Sequence, residues 1–150
     1  MRPDGRVGRI AVRSYTVPTS TFGVEQRESD GTAEWDSTGV LVIEVESDGV
    51  WGLGYSYTSA AAVLVVRDAL APIVLGSNPL DTESTFWSMA RAVRNLGWSG
   101  ICASAISAVD VALHDLRSRM LEVSLVQLLG GARSTVMAYG SGGFTSYAVP

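Results

Sequence analysis

Residues 105–116, which read AISAVDVALHDL, decide the fold of this 150-residue chain. Apolar side chains recur there at the spacing of one face of an α-helix. The apolar stripe extends beyond the quoted stretch and comprises Cys102, Ala105, Ile106, Val109, Ala112, Leu113, Leu116 and Met120. A polar stripe lies opposite, with Ser107, Asp110, His114 and Arg117. The pattern predicts a long helix with one buried face.

Three further helices are predicted around it. Each begins near a capping residue or a proline. Pro72 ends or bends the first of them, and a glycine ends each of the other two. They span Ala60 to about Leu70, Asn78 to about Arg94, and Ser124 to Leu129. The C-terminal two thirds of the chain therefore read mainly as a helical bundle.

The N-terminal third predicts three strands in a simple antiparallel order. They are Arg9 to Thr16, Thr38 to Glu46 and Val50 to Tyr55. Apolar and polar residues alternate in the first two, and Asp48-Gly49 is a hairpin signal between the second and third. Gly52 and Gly54 leave one face of the third strand bare, which indicates that another backbone approaches closely.

Two segments do not fit this sheet and bundle. Val17 to Trp35 has few apolar residues and reads as a long loop, a type of segment that is usually functional inside a compact domain. Thr135 to Tyr139 reads as one more strand, without an evident partner. The order of elements predicts an α+β fold: a three-stranded antiparallel sheet followed by a helical bundle, with a single strand at the end.

Composition narrows the class of protein. The chain is 47% hydrophobic and 17% charged, which is typical of a globular domain, and its net charge of −4 disfavours nucleic-acid and anionic-membrane partners. All 11 basic residues are arginine, so no lysine is available as a general base. Cys102 is the only cysteine, and residues 1–6 lack the apolar run of a signal peptide. We therefore expect a cytoplasmic protein with no membrane span.

The long helix and the turn after it resemble a known family. The AISAVDVALHDL stretch, followed by Gln127-Leu128-Leu129-Gly130-Gly131, is similar to the capping-domain signature of the mandelate racemase and muconate-lactonizing enzymes of the enolase superfamily. Thr135 to Phe144 looks like the first strand and loop of that family's (β/α) barrel. The resemblance implies a capping domain over residues 1–133 and the start of a barrel over residues 134–150. His114 stands where family members usually have Trp, and Tyr55 where many have Glu.

The resemblance also implies a chemistry. Members of the family abstract the proton α to a carboxylate and stabilise the enolate on Mg²⁺, as racemases, acid-sugar dehydratases or cycloisomerases. The lysine base and the carboxylate ligands of Mg²⁺ lie at the ends of barrel strands, so none of them falls within residues 1–150. We expect these residues alone to be inactive, the substrate to be a small-molecule carboxylate, and the protein to form a homo-oligomer.

Six residues are candidate substrate contacts on the strength of the resemblance: Thr19, Phe22, Val24, Tyr55, Tyr57 and Ser141. The first three lie in the long loop, which corresponds to a capping loop of the family, and the two tyrosines match its second capping segment. Each has a plainer alternative: a surface loop, packing at a strand end, or a turn in a glycine-rich loop for Ser141. The alternative for the whole chain is a stand-alone, non-catalytic binding or oligomerisation module with the same fold.

Overall fold

A three-stranded antiparallel sheet forms one layer of the computed structural model, which describes residues 5–19 and 27–140. Its strands are β1 (Arg9–Pro18), β4 (Ser37–Ser47) and β5 (Val50–Tyr57), and a separate ribbon pairs β2 (Glu28–Ser29) with β3 (Glu34–Trp35). The strand order β1-β4-β5 confirms the predicted antiparallel sheet. In β4, Leu41, Ile43 and Val45 are fully buried, which makes the face they share the core face.

The interpretation of residues 17–35 as one long loop is wrong in part. The strand β1 extends to Pro18, and β2 and β3 form a ribbon within the same segment. A turn between β2 and β3 is closed by Asp30, whose Oδ1 accepts hydrogen bonds from the backbone N–H groups of Thr32 (2.8 Å) and Ala33 (2.9 Å). The Thr32 hydroxyl donates to the same oxygen at 2.7 Å. These donors favour the carboxylate form and lower the pKa of Asp30 to about 2.

We expect the Asp30 turn to be sensitive to acid. A carboxyl group whose pKa is lower in the folded state contributes stability above its ordinary pKa of 3.8, and this contribution is lost as the pH falls through about 2. The amide proton shifts of Thr32 and Ala33, measured by NMR, should therefore titrate with a midpoint near the lower value. A midpoint at the ordinary value would contradict this, and Asp30→Ala should abolish the titration.

The helical layer lies on the core face of the sheet. It contains α1 (Ala62–Val65), a π-helical turn (Val66–Leu70), α2 (Ala71–Val74), α3 (Thr82–Ala92), α4 (Ile101–Met120) and α5 (Leu125–Leu128). The π-helical turn immediately precedes the turn that contains Pro72, whose nitrogen has no hydrogen to donate. The predicted long helix is confirmed as α4, and Ser124 caps α5 through a reciprocal pair of hydrogen bonds with Gln127.

Two predicted elements differ from the structure. The helix predicted from Asn78 begins only at Thr82, because the Asn78 side chain instead accepts from the Leu80 amide and donates to Asp81. Thr135 to Tyr139 forms no strand, since a strand needs a hydrogen-bonded neighbour and none of the described residues provides one. Met137 is 100% exposed there. The proposed start of a barrel at residue 134 remains a prediction.

Two glycines let α4 approach β5 closely. A Cβ atom added to Gly54 would lie 2.0 Å from the Ala108 carbonyl oxygen, and one added to Gly52 would lie 2.3 Å from that of Ala112. Both distances are far below van der Waals contact, so only glycine fits. The close approach predicted from these glycines is thereby confirmed. No helix in the described part of the chain is long and apolar enough to cross a bilayer.

Candidate functional site

Three of the six candidate site residues lie at one end of the sheet. The amide of Thr19, just after β1, donates to the Asp36 carbonyl at 2.8 Å, just before β4. Tyr57 ends β5 and pairs with Val40, and the next amide, of Thr58, donates to Gly39 at 3.0 Å. The structure therefore brings Thr19 and the end of β5 to the same end of the sheet, where the ribbon β2–β3 also connects to β4.

The other three candidates lie outside the described residues: Phe22, Val24 and Ser141. Their assignment as substrate contacts stays a prediction. The described part of the chain contributes Thr19, Tyr55 and Tyr57 to the candidate site.

Both tyrosines point away from the core, and each is more than half exposed: Tyr55 by 57% and Tyr57 by 69%. Their ring centroids are 6.2 Å apart with the planes at 86°, an edge-to-face arrangement that fixes one ring against the other. The pair offers two hydroxyl groups and aromatic faces to a molecule above the sheet.

A third tyrosine belongs to the same surface and was missed from the sequence. The register aligns Tyr15 of β1 with Val40, and Val40 with Tyr57, so the three side chains form one row on the outer face. Tyr15 is 51% exposed. The sequence did contain a signal for Tyr15. Side chains alternate along a strand, so if Ile10 and Val12 face the core, the odd-numbered residues of β1 face outward.

The charged groups on this outer face are already paired. Arg13 forms an ion pair with Glu44, whose hydrogen bond raises the pKa of Arg13 and keeps the guanidinium charged. At the opposite end of the face, the Arg9 guanidinium lies 5.4 Å from the centre of the Trp51 ring, a cation–π contact. The ion pair lies beside the tyrosines, because the register aligns Arg13 with Val42 and Val42 with Tyr55.

The described residues do not fit a Mg²⁺ centre. They contain no group of three His, Cys, Asp or Glu side chains placed to hold a metal ion. Glu44 is engaged by Arg13, and Glu46 accepts from the Gly49 amide at 2.6 Å in the hairpin. The arrangement can contact and cover a ligand, but it offers no metal chemistry of its own.

The polar stripe of α4 serves mainly structural contacts. Asp110 lies 3.9 Å from His114, and partial burial raises the pKa of Asp110. Asp115 accepts from the backbone of β5 at Leu53 and from Arg119. Both aspartates therefore have partners inside the domain that give them structural roles.

Comparison with known proteins identifies relatives of the whole domain. Residues 29–130 match the family described as the mandelate racemase / muconate lactonizing enzyme N-terminal domain. The crystal structure of a mandelate racemase/muconate lactonizing enzyme-like protein from Rubrobacter xylanophilus is 42% identical, with a TM-score of 0.86 over 95% of this chain and 38% of that one. L-talarate dehydratase from Polaromonas sp. JS666, solved with Mg and L-glucarate, is 29% identical, with a TM-score of 0.74 over 88% of this chain and 37% of its own.

Two curated enzymes show the same partial coverage. L-talarate/galactarate dehydratase of Salmonella typhimurium is 33% identical over 70% of this chain and 28% of its own length. The 3,6-anhydro-alpha-L-galactonate cycloisomerase of Streptomyces coelicolor is 34% identical over 91% of this chain and 38% of its own. The chain therefore spans well under two thirds of each relative.

Proposed function

This chain belongs to the mandelate racemase and muconate-lactonizing enzyme family, whose N-terminal domain it forms, and we propose that it caps the active site of a Mg²⁺-dependent enzyme. The reaction is removal of the proton α to a carboxylate, followed by racemisation, dehydration or cycloisomerisation. The base and the metal ligands come from a (β/α) barrel outside residues 1–150. This chain supplies the surface that covers the substrate.

One observation carries the proposal: the exposed tyrosines of β1 and β5 share one end of the sheet with Thr19, and β4 continues from the ribbon β2–β3 at that end. Phenol hydroxyls donate and accept hydrogen bonds, and aromatic rings pack on the C–H faces of a sugar chain. A surface of this kind suits a polyhydroxylated acid better than a purely apolar ligand. The relatives named as dehydratases and cycloisomerases of sugar acids support an acid-sugar substrate.

A cap contributes to this chemistry by excluding water. An α-proton of a carboxylate is weakly acidic, so the enolate must be stabilised by fixed charge in a site of low dielectric. Covering the substrate with Tyr15, Tyr55 and Tyr57 would exclude solvent from the side of the substrate that faces this domain. Residues 1–150 alone are expected to turn over no substrate, because they lack a lysine base and their described part lacks a metal site.

The alternative of a stand-alone module finds less support. Such a module would pair the segment from Thr135 onward within its own sheet, whereas the described part of that segment is unpaired, with Val136 78% and Tyr139 90% exposed. We propose that these side chains, with Val126 and Leu129, pack against the barrel. We also propose that the intact enzyme forms a homo-oligomer. Light scattering measures its molar mass in solution and so tests this.

The tyrosines provide the test. In a protein that joins this domain to its barrel, Tyr55→Ala and Tyr57→Ala should each lower kcat/KM for an acid sugar by about tenfold or more, equivalent to at least about 1.4 kcal/mol of transition-state binding. Steady-state kinetics with saturating Mg²⁺ measures the effect. The loss arises because a contact and a barrier to water are removed together.

Trp51→Ala is the matched control, since Trp51 lies on the same face at the far end of β5. It should change kcat/KM by less than about twofold, within the scatter expected for a site that does not contact the ligand. Full activity in both tyrosine variants, or Mg²⁺-dependent turnover by residues 1–150 alone, would overturn the proposed cap.

A further inference from the structure

Asp115 joins two elements that are far apart in sequence. Its Oδ2 atom accepts a hydrogen bond from the backbone N–H of Leu53, 62 residues earlier, at 2.8 Å. The same oxygen accepts from Nε of Arg119, one helical turn further along α4, at 2.9 Å. A side chain on the flank of α4 thereby reaches the main chain of β5.

The position of β5 explains why this contact matters. The sheet order places β5 at an edge, so β4 supplies backbone partners on one side only. At Leu53 the carboxylate of Asp115 takes the place of a neighbouring strand on the open side, with a charge-assisted hydrogen bond. Gly52 and Gly54 flank this point and bring α4 close enough for the contact. Arg119 balances the charge of the carboxylate.

Leu53 is connected to the candidate site through the strand itself. Leu53, Tyr55 and Tyr57 alternate along β5 and share its outer face, so a shift of the strand at Leu53 displaces both tyrosines. We propose that Asp115 is a positioning residue that pins the open edge of β5 to α4 and so holds Tyr55 and Tyr57 in place over the substrate. This inference rests on the proposed function of the domain as a cap.

Hydrogen exchange tests the first half of the proposal without any assay of activity. In residues 1–150, Asp115→Ala should speed exchange of the Leu53 amide by at least about tenfold relative to the core amide of Leu113, because Leu53 loses its acceptor while the core stays closed. Asp115→Asn retains a carbonyl oxygen and should restore most of the protection. Asp68→Ala removes an exposed carboxylate paired with Arg67 and serves as the control.

Kinetics of the enzyme that carries the domain and its barrel tests the second half. Asp115→Ala should raise KM by about threefold to tenfold with little change in kcat, and Asp115→Asn should restore it, since a displaced cap weakens binding and leaves the catalytic groups in the barrel intact. A merely structural role would instead lower the melting temperature and leave KM unchanged.

The outcomes separate the two proposals. If Asp115→Ala leaves the exchange of the Leu53 amide unchanged, the positioning role is overturned and the cap still stands. The same holds if Asp115→Ala speeds this exchange but leaves KM unchanged in an enzyme whose KM responds to Tyr57→Ala. If Tyr57→Ala and Tyr55→Ala also leave the kinetics unchanged, both proposals fail.

Discussion

Gly54→Ala is expected to cost at least about 3 kcal/mol of the free energy of unfolding, enough to unfold much of the domain. The added Cβ atom would lie 2.0 Å from the Ala108 carbonyl oxygen and 2.5 Å from the Ala112 amide nitrogen. Both atoms belong to the backbone in the middle of α4, which cannot move without separating the helix from β5. No side chain can rotate away to make room.

Urea denaturation of residues 1–150, followed by circular dichroism, measures this cost. Gly140→Ala is the matched control, because a Cβ atom there meets nothing within 4 Å. The control should leave stability within about 0.5 kcal/mol of the parent chain. A Gly54→Ala variant as stable as its control would show that β5 and α4 do not pack as described.

Leu113→Ala is the second substitution with a large expected effect. Leu113 is 1% exposed and lies in the core that α4 forms with the sheet and the other helices. Truncation should leave a cavity and cost about 2–5 kcal/mol, the range for leucine in a well-packed interior. The loss should appear as a lower midpoint of urea denaturation at an unchanged slope.

The same substitution at Leu64 isolates the contribution of burial. Leu64 lies on α1 and is 52% exposed, so Leu64→Ala should change stability by less than about 0.5 kcal/mol. Equal effects at the two positions would contradict the placement of Leu113 in the core.

Local patterns were sufficient for much of the fold. The apolar stripe of α4 repeats within one element, and the Asp48-Gly49 turn joins two strands that are adjacent in sequence, so neither depends on distant residues. Gly52 and Gly54 revealed the close approach because few other roles suit two alternating glycines in a strand. The relatives agree with the family resemblance found in the same stretch.

Contacts between distant segments could not be read in the same way. The hydrogen bond from Leu53 to Asp115 depends on how α4 lies across β5, and the row that joins Tyr15 to Tyr57 depends on the register of both strands with β4. The residues from Thr135 to Tyr139 were interpreted as a strand, but a strand also requires a partner. Asn78 shows the limit of capping signals, since its side chain stabilises a turn before α3 rather than the helix end.

The most direct measurement is a structure of the enzyme that carries this domain and its barrel, with Mg²⁺ and an acid-sugar inhibitor bound. We expect the ring or hydroxyl of Tyr57 to lie within about 4 Å of the inhibitor. An inhibitor held by the barrel while Tyr15, Tyr55 and Tyr57 all face bulk solvent elsewhere would contradict the role of this domain as a cap.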